Sequence, residues 1–260
     1  MDDYLIILGK YTGSAAVVSV PEGITTVGER AFAGNTLVEE VVIPEGVHGL
    51  DEGCFDSCTA LRSVYMPDSL WRIGKGAFRG CTSLREVDFG SEVGTIDVDA
   101  FRGCTALEEL IFPDQLKYLK AGCFSNCIGL RAVSFSPALR ELGAYAFKNC
   151  TSLEEVFLPE GLVEIGEAAF EGCTSLRGVV FPSTLEVIGP RSFAGCVRLF
   201  QPALPRGIRV VADDAFDGAG AIGRDDDFSS SDGQLQQASR STAQRVSHDK
   251  ADWSNLPGWQ

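Results

Sequence analysis

The sequence predicts a β-rich solenoid, a single domain built by stacking coils of 23 residues. The first observation is a series of nine phenylalanines, each 23 residues after the last: Phe32, Phe55, Phe78, Phe101, Phe124, Phe147, Phe170, Phe193 and Phe216. In most coils a cysteine follows that phenylalanine by three residues, and a leucine follows it by six. One coil is too short to bury its own apolar side chains, so neighbouring coils must stack to form a common core.

The elements of each coil follow in order from its phenylalanine, which we number as position 0. Positions +9 and +11 are apolar, as in Val156 and Leu158, with the two-residue period of a strand that has one buried face. A proline such as Pro159 often follows and ends the strand, because proline cannot donate to a ladder. A second apolar pair, as in Leu162 and Ile165, predicts a short second strand. The residues before the next phenylalanine leave room for one turn of 3₁₀ helix.

The repeat divides the chain into three parts. Residues 13–218 carry the repeat and are predicted to form the solenoid. Residues 1–12 include the apolar stretch YLIIL at 4–8, which does not match the repeat and predicts an N-terminal capping strand. Residues 219–260 are rich in Asp, Ser, Gln and Ala and lack the apolar density of a core, which predicts a disordered polar tail.

The nine cysteines are predicted to be buried and reduced. Seven lie at position +3 and therefore form one column through the stack: Cys58, Cys81, Cys104, Cys127, Cys150, Cys173 and Cys196. Neighbours in such a column are about one strand spacing apart, ~4.8 Å, and a disulfide would require them to leave a shared rotamer. Cys54 and Cys123 stand where other coils have alanine. They lie three coils apart, so the motifs CFDSC and CFSNC cannot converge on one zinc ion.

Composition and motifs argue against catalysis and against several classes of partner. The formal charge of −14 repels nucleic acid, and no run of about 20 apolar residues is present that could cross a bilayer. The two histidines, His48 and His248, lack the neighbours of a catalytic device or a metal site. We therefore expect no enzyme activity, no metal and no cofactor. The first ten residues, MDDYLIILGK, lack the basic start of a secretory signal, so the chain as written is expected to be cytoplasmic.

Position +10 of each coil is predicted to face outward from the sheet, because positions +9 and +11 face the core. Five side chains in this column are apolar or aromatic, and they are the predicted partner-binding residues: Val42, Tyr65, Ile111, Phe157 and Val180. An uncovered apolar strip of this kind is typical of an interaction surface. Val, Tyr, Ile and Phe also have high β-strand propensity, so a sheet face that binds no partner could have the same residues.

Position +7 carries charges whose sign mostly alternates from coil to coil: Glu39, Arg62, Arg85, Glu108, Arg131, Glu154 and Arg177. In a parallel stack these side chains become neighbours. We interpret the column as a ladder of ion pairs that favours the correct register, each worth less than ~1 kcal/mol when exposed. The alternative interpretation is a charged rim for a partner.

The recurring pattern AFxGCTSLxxVxFPxxLxxIG resembles the BspA-like class of leucine-rich repeats, over residues 13–218. The resemblance implies a leucine-rich-repeat solenoid that winds as a right-handed superhelix and carries a parallel sheet on one face. It also implies a binding or adhesion role, often at a cell surface or in a secreted protein.

Residues and resemblance together predict a non-enzymatic recognition scaffold that binds a protein or a cell-surface component along its parallel-sheet face. The alternative is a structural spacer whose sheet face has no partner. A third hypothesis, an enzyme within the stack, finds no support in the repeat, because its coils lack the irregular insertions on which active sites usually lie.

Overall fold

The computed structural model describes residues 6–200 and 202–220, and within them every regular element is a short β-strand. Each complete coil contributes one strand of three residues and one strand of two. In chain order the strands are β1 Ile7–Leu8, β2 Val17–Ser19, β3 Thr26–Val27, β4 Glu40–Val42, β5 Gly49–Leu50, β6 Ser63–Tyr65, β7 Arg72–Ile73, β8 Glu86–Asp88, β9 Thr95–Ile96, β10 Glu109–Ile111, β11 Tyr118–Leu119, β12 Ala132–Ser134, β13 Glu141–Leu142, β14 Glu155–Phe157, β15 Glu164–Ile165, β16 Gly178–Val180, β17 Val187–Ile188 and β18 Val210–Val211.

Both kinds of strand pair in parallel with their equivalents in neighbouring coils. The two-residue strands form one ten-stranded sheet in the order β1-β3-β5-β7-β9-β11-β13-β15-β17-β18. From β3 onward the register advances by 23 residues, as in Leu119 opposite Leu142 and Val41 opposite Val64. The predicted solenoid of 23-residue coils, with two parallel strands in each coil, is therefore confirmed.

The predicted turn of 3₁₀ helix around each phenylalanine is wrong, because the described residues there form separate single turns. Left-handed residues flank the phenylalanine on both sides, as at Gly76 (φ 57°) and Gly80 (φ 71°) around Phe78. Only alternate N–H groups bond within the coil, so that Arg79 donates to the Gly76 carbonyl at 3.1 Å. The Phe78 N–H instead donates to the carbonyl of Ala100 in the next coil at 2.7 Å. This segment is a third ladder between coils and cannot also be a helix, which would use those donors internally.

The repeated phenylalanines form a continuous column of stacked rings through the core. Successive centroids lie 4.8 to 5.5 Å apart, and successive ring planes are within 16° of parallel. The first eight rings are at most 1% exposed, whereas Phe216 at the end is half-buried. Tyr11 stacks on Phe32 at 4.9 Å and so extends the column by one ring at its N-terminal end.

The cysteine column runs beside the rings, and each of its thiols donates to a backbone carbonyl of the preceding coil. The Sγ of Cys104, for example, lies 3.1 Å from the carbonyl oxygen of Phe78, and the same contact recurs from Cys58 to Cys196. All nine cysteines are free and buried, as predicted. Burial raises the pKa of Cys196 to about 12, so its thiol stays protonated and unreactive at neutral pH.

The predicted tail, residues 219–260, lies outside the described residues apart from its first two positions, and the predicted boundaries at residues 12 and 218 remain predictions. Among the residues that the structure describes, no helix is long and apolar enough to cross a membrane.

Because the rings stack on one another, we expect the same Phe→Ala truncation to lower the free energy of unfolding more in a central coil than in a terminal one. Phe124→Ala removes a fully buried ring with a ring neighbour on either side, and we expect a loss of about 3–5 kcal/mol in the free energy of unfolding. Phe216→Ala should cost clearly less, because Phe216 is half-buried and terminal coils open independently. Chemical denaturation of both variants measures the difference. Equal losses would show that the stack does not end near Phe216.

Candidate binding face

The candidate site is the outward side of the three-residue strands, which we call the sheet face. The structure places all five predicted residues on it, each at the last position of its strand. Val42 and Tyr65 are half-buried and directly opposite each other in the register. Ile111 is 47% exposed and Val180 41% exposed, and Val180 lies opposite the half-buried Phe157.

These five residues do not form one continuous strip. Asp88 follows Tyr65 in the column, and Ser134 follows Ile111. The column therefore places Val42 beside Tyr65 and Phe157 beside Val180, with Ile111 between the two pairs. Ile111 and Val180 are the most exposed of the five side chains.

The ladder of three-residue strands is interrupted, which the repeat pattern does not predict. It divides into β2-β4-β6-β8, then β10-β12, then β14-β16, whereas the two-residue strands run on without a break. At the paired junction of β10 with β12, the Phe112 N–H donates to the Ser134 carbonyl at 3.0 Å. At the junction of β12 with β14, the equivalent bond from Phe135 to Phe157 is absent. The one backbone hydrogen bond between residues 131–135 and 154–158 there is from Glu154 N–H to the Arg131 carbonyl, at 3.3 Å.

Each of the two interruptions follows a coil in which a second phenylalanine stands on edge. A third such ring, Phe181 at 79° to Phe193, follows β16, the last three-residue strand among the described residues. Phe89 meets Phe101 at 75°, and Phe135 meets Phe147 at 81°. Phe112, at the same position in a coil whose strand is paired, is tilted by only 53° against Phe124. An edge-on ring occupies more of the spacing between coils than a tilted one. We attribute the open junctions to the edge-on rings of Phe89 and Phe135.

The ion pairs at position +7 follow the same division. Pairs form across the paired junctions, from Arg62 to Glu39 at 3.2 Å and from Arg177 to Glu154 at 3.1 Å, with a looser contact from Arg131 to Glu108 at 3.8 Å. The pairs predicted across the two open junctions, 85 with 108 and 131 with 154, do not form among the described contacts. The predicted ladder is thus present in part, and it ends wherever the strands separate.

The open junction between β12 and β14 forms a groove of about 570 Å³ in the sheet face. Its lining includes six large apolar side chains from both strands and their neighbours: Leu110, Ile111, Val133, Phe135, Phe157 and Leu158. Two of the predicted binding residues, Ile111 and Phe157, therefore meet in one concavity. Sequence reasoning missed the groove, because Phe112 and Phe135 are the same residue type at position +11 and only the ring of Phe135 stands on edge.

The sheet face carries negative charge between its apolar residues. The outward positions +8 and +10 hold five carboxylates and no lysine or arginine among the described residues: Glu40, Glu86, Asp88, Glu109 and Glu155. Burial, followed by the nearby Glu40 carboxylate, raises the pKa of the Tyr65 hydroxyl above its usual value. The face therefore repels anions and attracts basic groups.

His48 is the one histidine among the described residues, and it is exposed, with its Nδ1 3.2 Å from the Ser69 carbonyl oxygen. Within the described part of the chain, no three residues of the types His, Cys, Asp or Glu are gathered as metal ligands would be. The sheet face and its groove are therefore the candidate site among the described residues.

Comparison with known proteins gives a family and a set of related structures. The family described as "BspA type Leucine rich repeat region" matches residues 10–128 and 94–222, in six copies. No curated protein matches the chain.

Several solved structures share the fold. A leucine-rich repeat protein from Bacteroides ovatus superposes with a TM-score of 0.70 at 23% identity, over 83% of this chain and 64% of that one. This chain therefore spans less than two thirds of the B. ovatus chain. The T. pallidum leucine rich repeat protein matches with a TM-score of 0.58 at 28% identity, over 75% of this chain and 82% of that one. A leucine rich cell surface protein from Faecalibacterium prausnitzii matches with a TM-score of 0.53 at 22% identity, over 84% and 83% of the two chains.

The edge-on ring at the groove predicts that Phe135→Leu closes the junction between β12 and β14. Leu158 holds the same position in the next coil, and its N–H donates to the Val180 carbonyl at 3.0 Å. Amide hydrogen exchange at residue 135 should slow roughly fivefold, as one added backbone hydrogen bond of about 1 kcal/mol allows. Phe112→Leu, at a junction already paired, should leave exchange at residue 112 unchanged. Unaltered exchange at residue 135 would show that the ring does not hold the junction open.

Proposed function

This chain belongs to the BspA-type leucine-rich repeat family, and on that premise we propose that it is a non-enzymatic recognition scaffold. Its partner, a protein or another cell-surface component, would bind along the sheet face. The partner-binding residues in this proposal are Val42, Tyr65, Ile111, Phe157 and Val180. Leucine-rich repeat proteins of this type generally act as interaction modules, and a solenoid offers one extended surface for the purpose.

The observation that carries the proposal is the groove between β12 and β14. Its volume lies within the range of binding pockets, about 300–1,000 Å³, and its lining combines nine apolar residues with six charged residues and Ser134. Ile111 and Val180 present large apolar side chains to solvent on either side of Phe157. Exposed apolar side chains beside a concavity are common where a protein meets a partner.

The alternative function is a structural spacer whose sheet face binds no partner. A spacer is stabilised by unbroken ladders, and the ten-stranded sheet of two-residue strands supplies one. The sheet face instead gives up backbone hydrogen bonds and an ion pair at the groove. A local loss of backbone hydrogen bonds on a regular scaffold is more typical of a functional surface than of a spacer.

A location at the cell surface is also a proposal for this chain, supported by the similarity to the F. prausnitzii cell surface protein. Nine free cysteines are compatible with such a location because all nine are buried. A buried thiol of raised pKa reacts slowly with oxidants and with other thiols.

The test is a charge substitution on each side of the molecule, compared by pull-down with quantitative mass spectrometry. Ile111→Glu with Val180→Glu alters the sheet face, and both side chains are exposed enough to leave the core intact. Trp71→Glu with Val163→Glu is the matched control at or beside the two-residue strands, at 54% and 45% exposure. We expect the first variant to lose the proteins that the native chain retains, and the control to keep them. Equal retention by all three chains would support the spacer.

A further inference from the structure

From the groove and the charges around it, we infer the chemistry of the partner. The occupant is an extended basic peptide segment that places an apolar side chain in the groove and pairs its lysines or arginines with the surrounding carboxylates. This inference rests on the proposed function and narrows it to one class of partner.

The charge at the groove is negative, and its two arginines are already engaged. Arg177 lies 3.1 Å from Glu154 and 3.1 Å from Glu155, and Arg131 faces Glu108 at 3.8 Å. Four glutamates line the groove against those two arginines: Glu109, Glu154, Glu155 and Glu160. Glu109 forms no ion pair among the described residues. A basic side chain would therefore meet carboxylates that have no full counter-charge of their own.

The negative charge extends along the face that the segment would follow. Glu40, Glu86 and Asp88 continue the outward columns toward the N-terminal coils, and no lysine or arginine interrupts positions +8 and +10. The whole chain carries a formal charge of −14. Such a field steers basic partners to the surface and repels a second copy of this chain.

The shape of the groove fits an extended backbone with one large apolar side chain. Val133, Phe135 and Leu158 supply an apolar floor, and the volume of about 570 Å³ exceeds what one aromatic ring needs. Because the ladder is open here, the Phe135 N–H and the Phe157 carbonyl have no backbone partner among the described residues. A peptide laid across the junction can offer an acceptor to the first group and a donor to the second, whereas the two strands are too close to admit another strand between them.

The probes are three short synthetic peptides of equal length. The first alternates lysine with valine around one central phenylalanine. The second has glutamate in place of each lysine, and the third has glycine in place of each apolar residue. Binding is read from an environment-sensitive fluorophore on Ser134→Cys, since Ser134 is exposed at the groove and all nine native thiols are buried. We expect saturable binding of the first peptide, and at least about tenfold weaker binding of the other two.

Matched variants show where the peptide binds. Glu109→Lys should weaken the lysine–phenylalanine peptide by about tenfold, and Glu164→Lys, the first residue of a strand in the other sheet, should leave it unchanged. Phe135→Leu, which closes the groove, should also abolish binding. Equal weakening by Glu109→Lys and Glu164→Lys would mean diffuse electrostatic attraction and would overturn the inference. So would equal binding of the glycine peptide, or dimerisation in sedimentation that Ile111→Glu abolishes.

Failure of this inference can be told apart from failure of the proposed function. If no peptide binds while Ile111→Glu with Val180→Glu still loses the native partner in the pull-down, the sheet face binds something other than a basic segment. If that double variant loses nothing, the recognition function itself is contradicted.

Discussion

In the phenylalanine column, each buried ring stacks on the ring of the next coil and so sets the distance between coils. Parallel rings at 4.8 to 5.5 Å match the spacing at which neighbouring backbones can form a ladder, about 4.8 Å. The columns of cysteine and leucine side chains have the same spacing between coils. The cysteine thiols reach the carbonyls of the preceding coil, and the leucines at position +6 are buried from Leu61 to Leu199. A ring pair contributes about 0.5–1.5 kcal/mol beyond the burial of its area, and the column repeats that contribution in every coil.

The groove follows from a local exception to this arrangement. The two-residue strands and the turns around each phenylalanine keep their ladders through all the described coils, and they hold neighbouring coils together. The three-residue strands can therefore separate at one or two junctions without breaking the stack. Phe89 and Phe135 stand on edge where this happens. The surface proposed for recognition thus lies where a second aromatic residue competes with the spacing that the main column imposes.

The sequence was sufficient to predict the coil length, the two strands of each coil and the burial of Phe, Cys and Leu, because 23-residue periodicity leaves few ways to stack. It did not predict the backbone around each phenylalanine. Left-handed residues there include Tyr145 and Ala168, whose types rarely adopt that conformation, so the residue types alone favour a helical turn. Tyr11 as the end of the ring column was missed because it lies out of register with the other rings.

The candidate site was predictable only as a column of residues. Val42, Tyr65, Ile111, Phe157 and Val180 do share one face, but their grouping depends on which junctions are open. Whether a junction is open depends on the packing angle of the phenylalanine at position +11. Phe112 and Phe135 are the same residue type at that position, so the sequence does not distinguish their angles. The sequence alone shows the negative charge of Glu109 and Glu155 on this face. Only the structure shows that Arg177 pairs with both Glu154 and Glu155, so that it is not free to neutralise the other carboxylates.

Deletion of one coil tests whether the phenylalanine column makes a 23-residue coil the repeating unit of the stack. Removing residues 102–124 joins Phe101 to Ser125 and keeps every column in register, whereas removing 102–123 shifts all later coils by one residue. We measure cooperative thermal unfolding by circular dichroism for both chains. We expect a cooperative transition for the 23-residue deletion, and loss of cooperativity or a large decrease in midpoint for the 22-residue deletion, since a one-residue slip turns core side chains outward. Similar transitions for the two chains would show that the phenylalanine column does not set the coil length.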